Sequence, residues 1–275
     1  MRSYSKSKID KLGGRLARDN PPTDDDMTML EVVRADHDQP MARVQHVLVE
    51  ELGIESTSRL KTTGTIIDKV RRERTRLSTL QDIAGLRVVI DMGLQEQDEI
   101  VSAIVERFPD SKVKDRRAEP SHGYRAVHVM VEMEDCVVEV QVRTTMQDLW
   151  AQATEKLADR VGREIRYGEP PAVDSPAVRE VLKMLATGSE LVAAMEMGAK
   201  ELEETRSRIS VLQAALAHEQ LKEAPKQLDT RLAEAAAKAD ELQESRNRIA
   251  EQQKALLARM ITLLEQVPSE IWSEE

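Results

Sequence analysis

The run Val138-Glu139-Val140-Gln141-Val142-Arg143-Thr144 alternates three valines with an acid, an amide and a guanidinium. Successive side chains of a strand point to opposite faces, so this run has one apolar face and one face carrying Glu139, Gln141 and Arg143. A cleft that holds metal and phosphate needs such a set, whereas a solvated strand face does not. The preceding run, Tyr124 to Val131, repeats the pattern: Val127, Val129 and Val131 face one way, Tyr124 and His128 the other. Glu134-Asp135 separates the two runs as a short turn, which predicts an antiparallel hairpin. One face of that hairpin would gather Tyr124, His128, Glu139, Gln141 and Arg143. A half-buried hairpin with a polar outer face is the plainer alternative.

Two further segments carry matching chemistry. Arg59 to Arg76 is strongly basic, and on a helix Thr65, Lys69 and Arg72 would lie on adjacent turns. Such a surface holds a triphosphate by charge and forked hydrogen bonds. A solvated basic helix is the alternative. The chain has no GxxxxGK[ST] loop, so phosphate binding of the P-loop kind is unsupported. Asp82 stands just before the apolar run Leu86-Arg87-Val88-Val89-Ile90. Asp82 and Glu139 together suit a magnesium ion, which takes oxygen ligands from one or two carboxylates plus substrate phosphates. Phosphoryl chemistry uses that ion to neutralise developing charge.

The elements that must position these residues alternate in type. Asp24-Asp25-Asp26 reads as a helix start, with helical spacing through Leu30, Val33, Val44, Leu48 and Leu52 and a stop at Gly53. Leu86 to Asp91 reads as a buried strand, Gln97 to Phe108 as an amphipathic helix, and Val113 as the start of a short strand or loop. Trp150 to Val161 is helical again. This order predicts an α/β (α+β) domain with a mixed sheet up to Gly168, bounded by Glu169-Pro170-Pro171. Beyond it, Leu202, Ile209, Leu212 and Leu216 form one stripe. Leu228, Leu232, Leu242, Ile249, Leu256, Leu257 and Leu264 form another. The reading is of two long helices that fold back near Pro225 as an antiparallel hairpin. The organisation is then 1–55 as an N-terminal helical region, 56–168 as the chemistry-bearing domain and 176–267 as the helical hairpin or coiled coil.

Composition narrows the class. The chain has 275 residues, 33% of them charged, with a net charge of -10, which argues against a general nucleic-acid coat. Cys136 is the sole cysteine, so no intrachain disulfide forms and a thiolate zinc site is disfavoured. No apolar run approaches the roughly 20 residues of a membrane span, and Met1 to Arg18 lacks the apolar core of a signal peptide. A soluble cytoplasmic protein without membrane association is expected. With aromatics at 2%, Tyr124 is a conspicuous choice for a site face.

Taken in order, Arg59-Leu60-Lys61, Thr65 to Lys69, Asp82-Ile83-Ala84-Gly85-Leu86-Arg87, Gly123-Tyr124-Arg125-Ala126-Val127-His128, Glu139 to Thr144 and Trp150-Ala151 closely resemble the synthetase domain of the RelA/SpoT family. The resemblance covers about Ser56 to Gly168. It implies a nucleotidyltransferase-like mixed sheet flanked by helices, and a GTP pyrophosphokinase of the stringent response that moves pyrophosphate from ATP to the 3′-hydroxyl of GDP or GTP. Asp82 and Glu139 match the two family acids: Asp82 would hold Mg²⁺, and Glu139 would share it or activate the acceptor hydroxyl. Arg59 and Arg87 match the arginines that sandwich the adenine of ATP. Lys61 and Lys69 match cations on its phosphates, with Arg72 assisting. Tyr124 matches the tyrosine that stacks on guanine. His128, Gln141 and Arg143 match residues that line the acceptor side or support the acids, and Arg116 matches a further acceptor-phosphate residue.

The chain departs from the family pattern at two places. Ser121-His122 stands where many synthetases carry a lysine before the Gly-Tyr pair. Thr154-Glu155 stands where a Glu-His pair is common. Both leave the acceptor open. The hydrolase half of the long family members is missing, and His37-Asp38 lacks further metal ligands, so a small synthetase-only member is expected. One alternative is a toxin-type relative that pyrophosphorylates the 3′ end of tRNA, inhibits translation and pairs with a cognate antitoxin. For it, the basic N-terminus would engage RNA. Another is a catalytically inactive nucleotide-binding scaffold. The apolar stripes of the last two helices further suggest a homo-oligomer formed through them.

Overall fold

The computed structural model describes residues 2–18, 20–133, 135–217 and 226–266. The turn residue Glu134, the junction at Pro225, the Leu216 side chain and the hairpin end at Val267 lie outside the described positions. The helices are α1 (Lys6–Leu16), α2 (Asp24–Ala35), α3 (Asp38–His46), α4 (Thr63–Glu73), α5 (Leu94–Arg107), α6 (Thr145–Val161), α7 (Pro176–Ala217) and α8 (Lys226–Gln266). The strands are β1 (Thr57–Leu60), β2 (Ala84–Ile90), β3 (Lys112–Asp115), β4 (Val127–Met133) and β5 (Cys136–Thr144), joined in one mixed sheet of order β1-β2-β5-β4-β3. The expected α+β class, with long C-terminal helices, is the observed one. Contacts divide the chain into two compact units.

The first unit comprises Met1–Ile90, Gln97–Ala118 and Ala126–Arg143. Its helices begin where the sequence supplies caps. Thr23 accepts from the Asp26 backbone N–H at 3.2 Å, and three aspartates fill the first turn of α2. Thr62 accepts from the Thr65 N–H at 3.3 Å and starts α4, which carries Lys69 and Arg72. The helical spacing from Leu30 to Leu52 is not one helix. It breaks between Ala35 and Asp38, then widens into a π-helical turn at Val47–Glu51. The expected stop at Gly53 takes a left-handed φ of +67°. Arg59 lies on β1, and Thr65, Lys69 and Arg72 lie on α4 as the spacing predicts.

Alternation builds the sheet. Val127, Val129, Val131, Val138, Val140 and Val142 are all buried, and Leu86 and Val88 do the same on β2. Burying such a side chain contributes about 1.5–3 kcal/mol. A second cluster joins Leu12 and Leu16 of α1, Leu30 and Val33 of α2, Ile66 and Val70 of α4, and Leu77 and Ile83 of the chain between α4 and β2. That connection ends in Asp82, so the cluster fixes where Asp82 emerges.

The second unit comprises Asp91–Glu96, Glu119–Arg125 and Thr144–Glu275. Here α6 packs with α7 and α8, and α7 packs with α8. Trp150, Leu157 and Val161 of α6 share a core with Val178 and Leu185 of α7 and Leu264 of α8. Leu257 and Leu264 of the second apolar stripe are buried, whereas Leu242, Ile249 and Leu256 remain exposed. Among the described residues, no helix is long and apolar enough to cross a membrane.

A close approach within the first unit generates a stability prediction. A Cβ on Gly13 of α1 would come within 2.8 Å of Leu77 Cβ and 3.2 Å of its backbone nitrogen. Gly13→Ala must push α1 off the connection that leads to Asp82. It should destabilise the protein by about 1–3 kcal/mol, read as a lowered denaturation midpoint in urea. An unchanged or raised midpoint would mean that α1 does not pack there.

Candidate functional site

Lys61 and Lys69 come together around Asp82. The Lys61 backbone N–H donates to the Ile83 carbonyl at 2.9 Å, which extends the β1–β2 ladder and turns the Lys61 side chain to Asp82. Lys61 Nζ lies 2.9 Å and Lys69 Nζ 2.6 Å from the same carboxylate oxygen, Oδ2. The other oxygen, Oδ1, is buried and has no hydrogen-bond partner. Burial pushes the Asp82 carboxyl up, but the two ammonium groups outweigh it and hold the carboxyl below the usual range. Thr65 stands one turn before Lys69, with its hydroxyl on the Thr62 carbonyl at 2.8 Å. Arg72 lies farther along α4 and pairs with Glu73 at 3.2 Å.

Arg59 and Arg87 share one sheet face. Thr57 pairs with Arg87 and Arg59 with Gly85, so the two arginines occupy diagonal cross-strand positions. Such diagonals are roughly 7–8 Å apart. Buried Ala84, Leu86 and Val88 take the opposite face of β2.

The β4–β5 hairpin gathers the second group, and its register puts His128 opposite Gln141 and Met130 opposite Glu139. His128 Nδ1 and Glu139 Oε1 are 2.8 Å apart. Gln141 Nε2 donates to Glu139 Oε2 at 2.7 Å, and Arg143 Nη2 donates to Gln141 Oε1 at 2.8 Å. The chain of contacts therefore runs from Arg143 through Gln141 to Glu139 and across the strands to His128. Glu139 is 8% and Arg143 2% exposed, so these contacts stand in for water. Burial raises the Glu139 carboxyl, and Asp82 opposes its ionisation. His128 and Gln141 together prevail and hold it below the ordinary range. Both acids are thus ionised at neutral pH.

The edge strand adds a residue that the sequence reading passed over. Lys114 of β3 pairs directly with His128, so it lies on the same face. Its position in the sequence, three residues before Arg117 in a basic run, gives no sign of that pairing. Arg116 continues that parity: its backbone N–H donates to the Ala126 carbonyl at 2.9 Å. Arg117 is engaged elsewhere, within 2.6 Å of both Asp98 and Asp115 and 3.2 Å from Gln97.

Tyr124 departs from expectation. It was placed with His128 on one strand face, but β4 begins only at Val127. His122 at φ +53° and Gly123 at φ +86° turn the chain, and Ser121 and Tyr124 exchange backbone hydrogen bonds of 3.2 and 3.0 Å. This tight turn ends the alternation before it reaches Tyr124. Tyr124 belongs to the second unit, where it packs against the Trp150 cluster.

Among the described residues, no three His, Cys, Asp or Glu side chains converge as a metal cage. His37 of the isolated dipeptide is buried, with Nδ1 2.9 Å from the Val33 carbonyl oxygen, as a core histidine. The donor set that remains is Asp82 with Glu139, which suits a hard cation whose other ligands are phosphates and water. The free buried Oδ1 of Asp82 fits such an ion. Glu139 has both oxygens committed to His128 and Gln141. The arrangement can neutralise anionic charge at Lys61 and Lys69, offer a cation the open oxygen of Asp82, and hold at Glu139 one directed, ionised carboxylate able to accept a proton.

Residues 58–158 match the family model described as the region found in RelA / SpoT proteins. An uncharacterized protein of Mycobacterium tuberculosis (strain ATCC 25618 / H37Rv) is 44% identical over 118 residues, covering 42% of this chain and 43% of that protein. GTP pyrophosphokinase YwaC of Bacillus subtilis (strain 168) is 28% identical over 125 residues, covering 39% of this chain and 59% of that protein. The chain therefore spans 43% and 59% of the lengths of these two relatives. The crystal structure of small alarmone synthetase 1 from Bacillus subtilis aligns with a TM-score of 0.44 at 24% identity, covering 62% of this chain and 95% of that one. Over residues 58–158 the chain is similar to the region found in RelA / SpoT proteins.

Proposed function

We propose that the chain is an ATP-dependent pyrophosphokinase that transfers the β,γ-diphosphoryl group of ATP to the 3′-hydroxyl of GDP or GTP. The observation that supports this best is the state of Asp82. Two lysines converge on one carboxylate oxygen, and the other is buried without a partner. A purely structural ion pair has no use for the second lysine or for the open oxygen. A site that receives a polyphosphate and its metal uses both.

In the reaction, the acceptor 3′-oxygen forms a bond to the β-phosphorus of ATP. The bond from that phosphorus to the oxygen bridging the α-phosphorus breaks, and AMP leaves with the bridging oxygen and its electron pair. The hydroxyl proton passes to Glu139. Its carboxylate starts ionised and is aimed by His128 and Gln141, while Arg143 fixes Gln141. Lys61 and Lys69 exchange Asp82 for donor phosphates, and Arg72 extends that basic surface. Asp82, with Glu139 beside it, would hold a magnesium ion, which would supply further neutralisation of phosphate charge. Arg59 and Arg87 share one sheet face at diagonal positions, from which two guanidinium planes would take a flat purine between them. Lys114, Arg116 and His128 offer charge to the acceptor phosphates, and by the family resemblance Tyr124 stacks on guanine.

Asp82→Asn and Glu139→Gln should each lower AMP release with GDP or GTP by at least about a hundredfold while the circular-dichroism spectrum stays unchanged. Turnover within a few-fold of the parent, with magnesium present, would remove these acids from the chemistry. Arg59→Ala should weaken ATP binding, whereas Tyr124→Ala should raise the acceptor KM and spare ATP. The loss of one base stack amounts to roughly 1–3 kcal/mol. Offering GDP, GTP and tRNA in turn identifies the acceptor, and use of tRNA alone would contradict the guanine role of Tyr124.

Assembly is part of the same reading. Leu242, Ile249, Leu256 and Leu263 of α8 are exposed and spaced seven residues apart. That spacing is a coiled-coil seam, and in a twofold pair the seam meets itself. A homo-oligomer through α8 follows. Combined Leu242→Gln, Ile249→Gln and Leu256→Gln substitution should reduce the mass measured by light scattering to that of one chain. A parent protein that is already monomeric at about 100 µM would refute it.

A further inference from the structure

The segment that carries Tyr124 is held by α7, about 65 residues away in the sequence. The Ser189 hydroxyl donates to the Gly123 carbonyl at 2.6 Å and accepts from Arg125 Nε at 3.3 Å. Ser189 is 2% exposed, and Arg125 is buried as well. Glu190, the next residue, lies 3.7 Å from the Arg125 guanidinium. One hydroxyl therefore grips the residues on both sides of Tyr124.

The surroundings leave this contact little freedom. A Cβ on Gly123 would come within 2.7 Å of the Trp150 ring and 3.3 Å of Ser189 Cβ, and the left-handed φ at Gly123 already favours glycine. One turn earlier on α7, the Leu185 carbonyl accepts from the Trp150 indole N–H at 2.7 Å. Two turns later, Glu196 accepts from the Thr144 hydroxyl at 2.5 Å and the Gln147 amide at 3.0 Å. Leu185, Ser189 and Glu196 fall on one face of the helix by their spacing of four and seven. A buried serine within a helix commonly bonds the carbonyl one turn back in its own helix. Ser189 uses its hydroxyl on a distant backbone instead, in a neighbourhood otherwise built from Trp150 and Leu185.

We infer that Ser189 is a positioning residue for the acceptor nucleotide: it fixes the backbone from Gly123 to Arg125 and, through it, the Tyr124 ring. This rests on the reading that Tyr124 stacks on the acceptor base. It gives α7 a share in acceptor recognition, although every family motif of the chain lies before Gly168.

The test compares the full-length protein with Ser189→Ala and Ser189→Thr, the second of which keeps the hydroxyl. Hydrogen exchange without nucleotide should speed up in Ser189→Ala at the amides of residues 121–126, by about tenfold. The KM for GDP or GTP should rise roughly tenfold, as expected for one lost hydrogen bond, with the KM for ATP changed less than about twofold. Ser189→Thr should lie closer to the parent in both readouts. Active enzyme with an unchanged acceptor KM, or with acceptor and ATP KM rising together, overturns the role of Ser189 alone. Absence of AMP release from the parent with any guanine nucleotide overturns the acceptor reading itself, whatever the exchange data show.

Discussion

A carboxylate as buried as Glu139 takes up a proton unless both its oxygens are hydrogen-bonded. The polar face of the hairpin follows from that constraint. His128 satisfies one oxygen across the strands, and Gln141 satisfies the other from two residues along β5. Gln141 donates only if its amide is oriented, and Arg143 orients it. Arg143, at 2% exposure, is itself a buried charge that needs an acceptor, so each member of the chain requires the next. The valines between them form the opposite face and fix the register, because a slip of one residue would exchange the charged and apolar sets.

Asp82 obeys the same rule by other means. Its depressed carboxyl depends on Lys61 and Lys69, which arrive from β1 and α4, while its own position depends on the cluster beneath the connection from α4 to β2. The lysines stabilise Asp82, and Asp82 keeps two like charges close together. That mutual dependence holds two cations side by side without a dedicated loop.

How much of this was legible in the sequence depends on the range of the interaction responsible. The hairpin, its register and the face shared by His128, Glu139, Gln141 and Arg143 follow from strand alternation over a few residues, and the sequence carries them plainly. The helix start at Asp24-Asp25-Asp26, the stop at Gly53 and the helical placement of Lys69 and Arg72 are equally local. Tyr124 falls outside the strand because the alternation stops at a turn made by His122 and Gly123, and a single glycine beside an alternating run does not fix where the strand begins. Lys114 was missed because its importance lies in pairing with His128, which no spacing within β3 reveals. Ser189 carried no signal at all, since its partners are about 65 residues away and a serine in a helix is ordinary.

The long helices are therefore more than an appendage to the motif-bearing sheet. Trp150, Leu157 and Val161 bury their side chains against Val178, Leu185 and Leu264, so α6 completes its core only with α7 and α8 present. At about 1.5–3 kcal/mol for each large apolar side chain, that core outweighs any single hydrogen bond in the unit. Hydrogen bonds such as those of Ser189 and Glu196 add direction to it, because apolar packing alone tolerates small slides along a helix and a 2.6 Å contact to a carbonyl does not. The helix start at Thr144 and the turn at Gly123 are thus set by residues that come later in the chain. A family motif can stay intact in sequence while the geometry of its last side chain is decided by a helix that carries no motif.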